Sequence, residues 1–384
     1  MRALHLMSCR GWSSDAYWAS RMAVELERAG HEVTLVCTAG TEARVLRRVR
    51  AAGVTRIQTL AFESGLRPIR DAADVRALRR ALDQTDVLHV HRGKEHWLGA
   101  IANRLATRRR PLVRTRHIVQ AIRAHALNRW LYREATDAVV TVTEAIRAQC
   151  VGAGLVPPAG VHAVPGGVDV ERFHPDLDGA PFRRQLGIGP DVPLVGMVAG
   201  LRVMKGHEVL IEALGRLRQS GHRLRAVLVG RGPLEAAIRT GVAAAGLEEA
   251  VVFAGAVDDV PAAMAALDVA LYVPRESEGM SRVVFEYLAA GRPLVASRVG
   301  VVPEVLTDGR DALLVPAEEP EALTAAIARL LEDSALRDRI GRAGAALARE
   351  RFSGALVARR VAAIYQELIG SPPHGSVGAE DDGT

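Results

Sequence analysis

Residues 268–286 of this 384-residue chain read DVALYVPRESEGMSRVVFE, a stretch that joins a short apolar run to the start of a helix. The run 268–274 has the length and composition of a buried parallel strand. The helix start leaves the backbone N–H groups of Gly279, Met280 and Ser281 without helical partners, and the helix dipole adds positive charge there. This stretch therefore predicts an α/β fold with an anion site where the strand leads into the helix.

Two carboxylates bracket this helix start. Glu278 and Glu286 are eight residues apart, which on a helix places them about 12 Å apart along the axis and about 80° apart around it. As ligand contacts, they would touch different parts of one long ligand. As structural residues, Glu278 would be a first-turn acid and Glu286 an exposed surface acid, and the spacing alone leaves both interpretations open.

The alternation of short apolar strands with amphipathic helices extends outward along the chain and predicts two Rossmann-like domains. The predicted strands are 3–7, 32–38, 57–61, 86–91, 112–116, 138–142, 194–198, 225–229, 251–254, 269–273, 294–297 and 312–315. Wholly helical sequence follows residue 316. The expected organisation is an N-terminal Rossmann-like domain (1–170), a Gly- and Pro-rich junction (171–192), a C-terminal Rossmann-like domain (193–352), a helix packing back on the first domain (353–370) and a disordered tail (371–384).

Composition is that of a globular chain. Hydrophobic residues make up 49% and charged residues 24%, and no apolar run approaches the roughly 20 residues of a membrane-spanning helix. The opening nine residues are too short for a signal peptide. The three cysteines Cys9, Cys37 and Cys150 form no metal-ligand or redox spacing. We therefore expect a cytoplasmic location, with peripheral attachment at the inner face of the cell membrane as a further hypothesis.

Charge is distributed unevenly along the chain. The formal net charge is +6, composed of +11 over residues 1–190 and −5 over residues 191–384. Residues 101–133 hold nine arginines (104, 108, 109, 110, 114, 116, 123, 129 and 133) and no acid. This segment predicts a positive potential that attracts an anionic ligand or an anionic membrane, and a solvated helical face is the alternative. Nucleic acid is not expected as a partner, because the segment lacks interleaved aromatics and any nucleic-acid-binding motif.

Lysine is rare in this sequence. Of the 50 basic residues only Lys94 and Lys205 are lysine. A lysine ammonium is a compact charge that follows a phosphate, whereas arginine presents a planar fork. Each lysine is therefore predicted to have a site-specific role, with chance retention as the alternative.

Histidines cluster around the end of the predicted strand 86–91. His89, His91 and His96 lie here with Lys94. Strand alternation points His89 and His91 to the same side, but the chain offers no fourth metal ligand. We therefore favour contacts with an organic ligand over metal binding, particularly for His91 and Lys94. The Asp-x-Asp pair at 176–178 lies in the Gly- and Pro-rich junction and is interpreted as part of a turn, in which aspartate side chains bond to nearby backbone groups. No metal is therefore expected to be required.

Several motifs occur in order along the chain. They are RGWSS (10–14), VPGGVD (164–169), VAGLRVMKG (198–206), VGRGPL (229–234), EGMSRVVFE (278–286), AGRPLVA (290–296) and GVVPE (300–304). Together they resemble the retaining, nucleotide-sugar-dependent glycosyltransferases with an E-x7-E signature (family 4-like, group 1). That resemblance implies a GT-B fold, with two facing Rossmann-like domains and a ligand cleft between them.

The resemblance also implies roles for individual residues. Lys205 would neutralise the donor diphosphate, and Arg202 would supply the charge of an arginine that the family has where this chain has Gly200. Glu278 and His117 would contact the transferred sugar, and Glu286 the ribose hydroxyls. The remaining implied contacts are donor binding through Gly279, Met280, Ser281, Gly230 and Gly11, and acceptor or sugar contact through Ser13, which stands where the family has glycine. With a sugar-transfer function, the ligand contacts favoured for His91 and Lys94 become acceptor or sugar contacts as well.

The implied function is sugar transfer from a UDP- or GDP-sugar, with no further cofactor, to a glycan or lipid-linked acceptor with retention of configuration. The basic first half favours an anionic acceptor, such as a glycolipid or a lipopolysaccharide core. Three alternatives stay open: a nucleotide-sugar epimerase of the same fold, a non-catalytic sugar-nucleotide-binding protein, and a phosphorylase.

Overall fold

The computed structural model describes residues 1–276 and 279–371, and these fall into two units. Unit 1 comprises Met1–Gly167 together with the C-terminal segment that starts at Gly354, and unit 2 is Val168–Ser353. The tail predicted to be disordered, 371–384, lies outside the described residues except for Ser371.

Unit 1 contains a seven-stranded parallel sheet in the order β3-β2-β1-β4-β5-β6-β7. Its strands are β1 (Arg2–Met7), β2 (Glu32–Thr38), β3 (Arg56–Leu60), β4 (Val87–Val90), β5 (Leu112–Arg116), β6 (Ala138–Thr141) and β7 (Val161–Ala163). Its helices are α1 (Ser14–Arg28), α2 (Ala43–Ala51), α3 (Pro68–Leu82), α4 (Gly93–Arg104), α5 (Ala126–Arg129), α6 (Glu144–Gly152) and, at the end of the chain, the C-terminal helix Gly354–Gly370.

Unit 2 contains a six-stranded parallel sheet in the order β10-β9-β8-β11-β12-β13. Its strands are β8 (Leu194–Val198), β9 (Arg225–Val229), β10 (Val251–Gly255), β11 (Val269–Tyr272), β12 (Leu294–Ser297) and β13 (Leu313–Val315). Its helices are α7 (Ala180–Gln185), α8 (His207–Gln219), α9 (Glu235–Ala244), α10 (Val260–Ala265), α11 (Arg282–Ala289), α12 (Val302–Val305), α13 (Pro320–Glu332) and α14 (Ser334–Leu347), so the C-terminal helix is α15.

Both sheets are buried at their centres. Every residue of β4, β5, β6, β11 and β12 is buried, as expected for parallel strands covered on both faces. In unit 2, Leu210 and Leu214 of α8 and Ile327 of α13 share one apolar core with the sheet. The predicted α/β architecture of two Rossmann-like domains is confirmed, and all twelve predicted strands are present.

The sequence prediction missed β7, a three-residue strand at the edge of the first sheet. Its residues Val161–Ala163 pair only with β6. Three residues are too few to produce an apolar run or an alternation that stands out from a loop.

The segment 171–192, predicted as a junction, is part of unit 2. The Arg183 guanidinium pairs with the Asp268 carboxylate at 2.6 Å. A Cβ added to Gly179 would lie 2.3 Å from the backbone nitrogen of Ala266, so this turn packs directly on the unit. The helix α15 in turn belongs to unit 1, where it packs against α1.

In each sheet the strand order reverses direction at one point. The reversal falls between β1 and β4 in unit 1 and between β8 and β11 in unit 2. Ligands of open parallel sheets bind outside the carboxyl ends of the strands at such a switch point. A ligand site is therefore expected in the segments that follow these four strands.

Candidate active site

Three loops meet at the carboxyl edge of the second sheet. They are residues 199–206 after β8, 230–234 after β9 and 273–281 after β11. The Leu201 amide donates to the Arg231 carbonyl at 3.2 Å, and the Arg275 amide donates to the Met204 carbonyl at 3.0 Å. Backbone hydrogen bonds thus fix the first loop against both others.

Two glycines allow this close approach. Gly206 has φ +72°, and a Cβ there would lie 2.0 Å from the Val273 carbonyl oxygen. Gly230 has φ +145°, and a Cβ there would lie 1.9 Å from the Ala199 carbonyl oxygen. No side chain fits at either position, so glycine is required by space as well as by backbone conformation.

Lys205 ends a short 3-10 turn, Val203–Lys205, and immediately precedes Gly206. Contact between Gly206 and Val273 therefore holds the backbone of this half-buried lysine against the start of the 273–281 loop. The chain here supplies a cation next to the segment that leads to the predicted anion site.

The Arg202 side chain lies close to Gly200, the position at which the sequence comparison expects an arginine. A Cβ added to Gly200 would be 3.8 Å from the Arg202 Nε atom. The Arg202 side chain is exposed to solvent. Its guanidinium therefore occupies space that a side chain at position 200 would enter.

The N-terminus of α11 follows the 273–281 loop. Gly279 has φ +83°, and Met280 and Ser281 are buried. The Ser281 hydroxyl bonds to the Tyr272 hydroxyl instead of capping the helix. Within residues 1–276 and 279–371 the amides of Met280 and Ser281 have no acceptor. Glu278, predicted to contact the sugar, lies outside the described residues.

Glu286 lies in the second turn of α11 and is only 3% exposed. It is therefore not the exposed surface acid of the structural alternative. Its Oε1 atom forms an ion pair with the Arg282 Nε atom at a distance of 3.1 Å. The neighbouring Tyr287 hydroxyl accepts from the Val198 amide at 2.6 Å, which ties α11 to the end of β8 and holds Glu286 close to the same sheet edge.

Gly206→Ala is expected to lower the free energy of unfolding by about 2–4 kcal/mol, because the positive φ and the contact with the Val273 carbonyl both oppose a side chain. Gly215→Ala, in the interior of α8 with nothing within 4 Å of its Cβ, is the matched control and should stabilise by about 0.5–1 kcal/mol. Urea unfolding followed by circular dichroism measures both. Equal effects would contradict the packing described for Gly206.

In unit 1, the loop after β1 carries Gly11 and Ser13. The Ser13 residue precedes α1, and its hydroxyl accepts a 3.4 Å bond from the Arg92 guanidinium. Arg92 also pairs with the Asp15 carboxylate in the first turn of α1. Burial alone would raise the pKa of Asp15, but the Arg92 guanidinium and, in acid, protonated His117 outweigh burial and hold that pKa at about 2.

Gly11 has open space around its Cα, with only the Glu42 carboxylate 4.0 Å from an added Cβ.

His91 and His117 come together after β4 and β5. The His91 Nδ1 atom is 3.3 Å from the His117 Nε2 atom. Burial lowers the pKa of His117 to about 4 and that of His91 well below its usual range, so both rings are neutral near pH 7. The structure joins them to two histidines from inside the sheet, His5 of β1 and His89 of β4, which face each other in register.

Three of these histidines have ring nitrogens within 4.8 Å of one another, a spacing compatible with a shared metal. The rings of His89 and His91, however, stack at 18° with centroids 4.6 Å apart. A metal lies in the plane of each imidazole that binds it, so two stacked rings cannot direct lone pairs at one ion. Hydrogen bonding between neutral rings accounts for this group better.

Lys94 is directed away from this histidine group. Its ammonium donates to the Gly65 carbonyl at 2.7 Å and pairs with the Asp71 carboxylate at 2.6 Å. These contacts join α4 to α3 and explain why a lysine is kept at this position. Its predicted contact with an acceptor would require it to leave these partners.

Sequence reasoning did not single out Asp15, Arg92, His5 or Tyr365. His5 carried a usable signal, since a histidine in the middle of an apolar central strand must be hydrogen-bonded when buried. Tyr365 carried none, because its partners His5 and His89 are 360 and 276 residues away in the sequence.

Fold and site together define a class: a two-domain Rossmann-like protein of the GT-B type, in which glycine-dependent loops of unit 2 set a lysine and helix N-terminal amides at a switch point. The chain belongs to the glycosyl transferases group 1 family. The model of that family matches residues 180–346, and the model described as Glycosyltransferase Family 4 matches residues 17–172.

Curated relatives are similar over part or most of the chain. A GDP-mannose-dependent alpha-(1-6)-phosphatidylinositol monomannoside mannosyltransferase from Mycolicibacterium smegmatis is 34% identical over 49% of this chain and 51% of its own length. This chain thus spans about half of that relative. A D-inositol 3-phosphate glycosyltransferase from Acidothermus cellulolyticus is 30% identical over 74% of this chain and 67% of its own length.

Among solved structures, the Anabaena protein HepE in complex with UDP superposes with a TM-score of 0.81, covering 96% of this chain and 100% of that chain at 22% identity. At this level of identity the similarity establishes the shared fold.

Proposed function

We propose that this protein is a glycosyltransferase that moves a sugar from a UDP- or GDP-sugar to an anionic acceptor with retention of configuration. The observation that carries the proposal is the meeting of three loops at the carboxyl edge of the second sheet, around Lys205 and the amides that precede α11. A compact cation beside backbone N–H groups at a helix start is a combination that binds a diphosphate. The family to which the chain belongs supports this chemistry.

In the proposed reaction the bond between the sugar anomeric carbon and the donor diphosphate breaks, and negative charge grows on the leaving phosphate. Lys205, Arg202 and the amides of Gly279, Met280 and Ser281 stabilise that growing charge, which lowers the barrier more than it strengthens ground-state binding. Gly230 lets the second loop approach the first closely enough to complete the site. Glu286 accepts hydrogen bonds from the ribose hydroxyls.

Retention requires the acceptor oxygen to reach the face of the sugar that the diphosphate leaves. A double displacement would need a carboxylate on the far face of the sugar, about 5 Å from its partner, and the sequence does not identify a residue for that role. In our proposal the acceptor hydroxyl attacks from the front face and passes its proton to the leaving phosphate oxygen. Glu278 contacts the transferred sugar in this scheme.

Unit 1 receives the acceptor in this proposal. Gly11 and Ser13 follow β1 and His91 follows β4, the two strands at the switch point of its sheet, and His117 follows the neighbouring β5. The surrounding half of the chain carries the excess positive charge. The names of both curated relatives specify acceptors that contain an inositol phosphate group. An acceptor with a phosphate ester fits this charge.

The basic segment 101–133 does not form one continuous surface. Arg114 and Arg116 are buried in β5. Arg109 and Arg110 precede that strand and donate to the backbone carbonyls of Glu134 and Leu82, respectively. Their guanidinium groups therefore bind other segments of unit 1 at the amino edge of its sheet. Neutralising them would disturb the fold as well as the surface.

The segment after β5 is better suited to meet an anionic membrane. Ile118, Val119 and Leu127 are 45–65% exposed there, beside Arg123 and Arg129 in the sequence. Exposed apolar side chains next to basic ones bind the interface of anionic bilayers. No helix within the described part of the chain is long and apolar enough to cross a membrane, and we propose peripheral contact through this segment.

The proposal is tested by incubating the protein with GDP-mannose or UDP-glucose and vesicles of phosphatidylinositol or phosphatidylcholine. We expect sugar transfer only with phosphatidylinositol, and an α-linked product by NMR from the α-linked donor. Leu127→Ser should weaken sedimentation with anionic vesicles. Leu105→Ser changes a similarly exposed leucine at the opposite edge of the sheet and should not weaken it.

Other outcomes identify other functions. An epimerised donor without acceptor identifies an epimerase, turnover that requires inorganic phosphate identifies a phosphorylase, and nucleotide binding without turnover identifies a binding protein. A β-linked product contradicts retention.

A further inference from the structure

Six buried side chains of unit 1 form one continuous hydrogen-bonded series, which we call the imidazole chain. It begins at Thr115 of β5, whose hydroxyl lies 2.5 Å from the His89 Nε2 atom. The His89 Nδ1 atom bonds to the Tyr365 hydroxyl of α15. That hydroxyl lies 3.0 Å from the His5 Nε2 atom.

The series continues toward the candidate site. The His5 Nδ1 atom is 3.3 Å from the His91 Nε2 atom, and the His91 Nδ1 atom is 3.3 Å from the His117 Nε2 atom. The His117 Nδ1 atom is buried and has no hydrogen-bond partner among the described residues. The imidazole chain thus ends on a single unpaired nitrogen.

All four imidazoles are neutral near pH 7, because burial lowers the pKa of each of them; those of His5 and His117 fall to about 3 and about 4. A neutral imidazole donates from one nitrogen and accepts at the other. The direction of one hydrogen bond therefore sets the direction of every other bond in the imidazole chain.

Thr115 decides that direction. It is fully buried, and within the described residues the only acceptor for its hydroxyl hydrogen is the His89 Nε2 atom. His89 is then protonated at Nδ1 and donates to Tyr365, which donates to His5. The reverse direction would bury the Thr115 hydroxyl without an acceptor, which is costly.

We propose that the imidazole chain holds His117 as the Nδ1–H tautomer, so that its unpaired nitrogen donates a hydrogen bond to a ligand oxygen with a free lone pair, such as a sugar hydroxyl or phosphate oxygen. Following the bonds from His5 through His91, each Nδ1–H donates to the next Nε2. The nature of the ligand rests on the proposed function, whereas the tautomer does not.

Thr115 and Tyr365 are thus positioning residues, and the test measures the tautomer directly. Side-chain nitrogen NMR of the ligand-free protein labelled with ¹⁵N-histidine distinguishes protonated from unprotonated ring nitrogens, and His117→Gln assigns the His117 signals. We expect Nδ1–H at His117 in at least about fivefold excess, the ratio that corresponds to the lower end of the roughly 1–3 kcal/mol cost of an unpaired buried hydroxyl. Thr115→Val should reduce that excess severalfold, and Thr115→Ser should keep it.

Tyr365→Phe interrupts the imidazole chain in its middle and provides a second variant should the first fold poorly. It should reduce the excess in the same way. An Nε2–H tautomer in the wild-type protein, or an unchanged excess in both Thr115→Val and Tyr365→Phe, overturns the proposal, because the hydrogen bonds of the imidazole chain would then not set the tautomer.

Activity distinguishes this inference from the proposed function. If both hold, Thr115→Val lowers kcat/KM for sugar transfer and Thr115→Ser restores it. If the tautomer behaves as expected but the protein transfers no sugar with any donor, the imidazole chain stands and the proposed function fails.

Discussion

Replacing Lys205 with alanine is expected to lower kcat/KM for sugar transfer by about 10²–10³-fold, the effect of removing one preorganised group from a developing negative charge. Lys205 precedes the Gly206 that packs on the Val273 carbonyl, so the rest of the loop should keep its shape. A nucleoside diphosphate that raises the melting temperature of the wild-type protein should raise that of Lys205→Ala much less, because ligand affinity determines the shift.

The other lysine of the chain provides the control. Lys94 is engaged by the Gly65 carbonyl and Asp71 in unit 1, so Lys94→Ala should lower the melting temperature itself and leave the shift by UDP or GDP unchanged. Equal nucleotide shifts in Lys205→Ala and the wild-type protein would contradict the role proposed for Lys205. Lys205→Arg keeps the charge, and we expect partial activity from it.

Unit 1 is expected to lose stability steeply when the pH falls below 6.5. Burial lowers the pKa of five histidines, to about 3 for His5 and about 4 for His117, and well below 6.5 for His89, His91 and His96. Between these values and pH 6.5 the unfolded chain binds protons that the folded unit does not, so acid favours unfolding. Each group contributes about 1.4 kcal/mol per pH unit, and the five together on the order of 7 kcal/mol per pH unit.

Tryptophan fluorescence measures this effect selectively, since Trp12, Trp18, Trp97 and Trp130 are the four tryptophans of the chain and all belong to unit 1. Urea titrations from pH 7 to pH 5 should show the steep loss. His96→Gln keeps a polar partner for Thr136 and should lower the slope by about one proton. A free energy of unfolding that stays constant down to pH 5 would contradict the burial of these rings as neutral groups.

The two sheets were predictable because parallel strands covered on both faces form apolar runs bounded by polar turns. The three loops that meet at the carboxyl edge of the second sheet were predictable for a related reason. Gly206 and Gly230 lie where two backbone segments come into contact and no side chain fits. Glycines required in this way form part of recognisable sequence motifs. The buried state of Glu286 was not predictable from spacing, since the Tyr287 contact with Val198 that anchors α11 depends on tertiary packing.

The site of unit 1 was harder to predict. His91, His117 and Ser13 were singled out, but Arg92 and Asp15 were not, because an ion pair between residues 77 positions apart leaves no local pattern. The arginine-rich segment includes Arg114 and Arg116, which lie in the predicted strand 112–116. The number of arginines in the segment does not show that these two are buried.

Placement of α15 in unit 1 affects the order in which the chain can mature during synthesis. The ribosome releases residues 1–167 first, but Tyr365 and the rest of the helix that closes this half emerge last. Unit 2 has its whole sequence available before then. The half of the protein that is translated first is therefore the last to be completed, and premature termination near residue 353 would leave its histidine-rich interior uncovered.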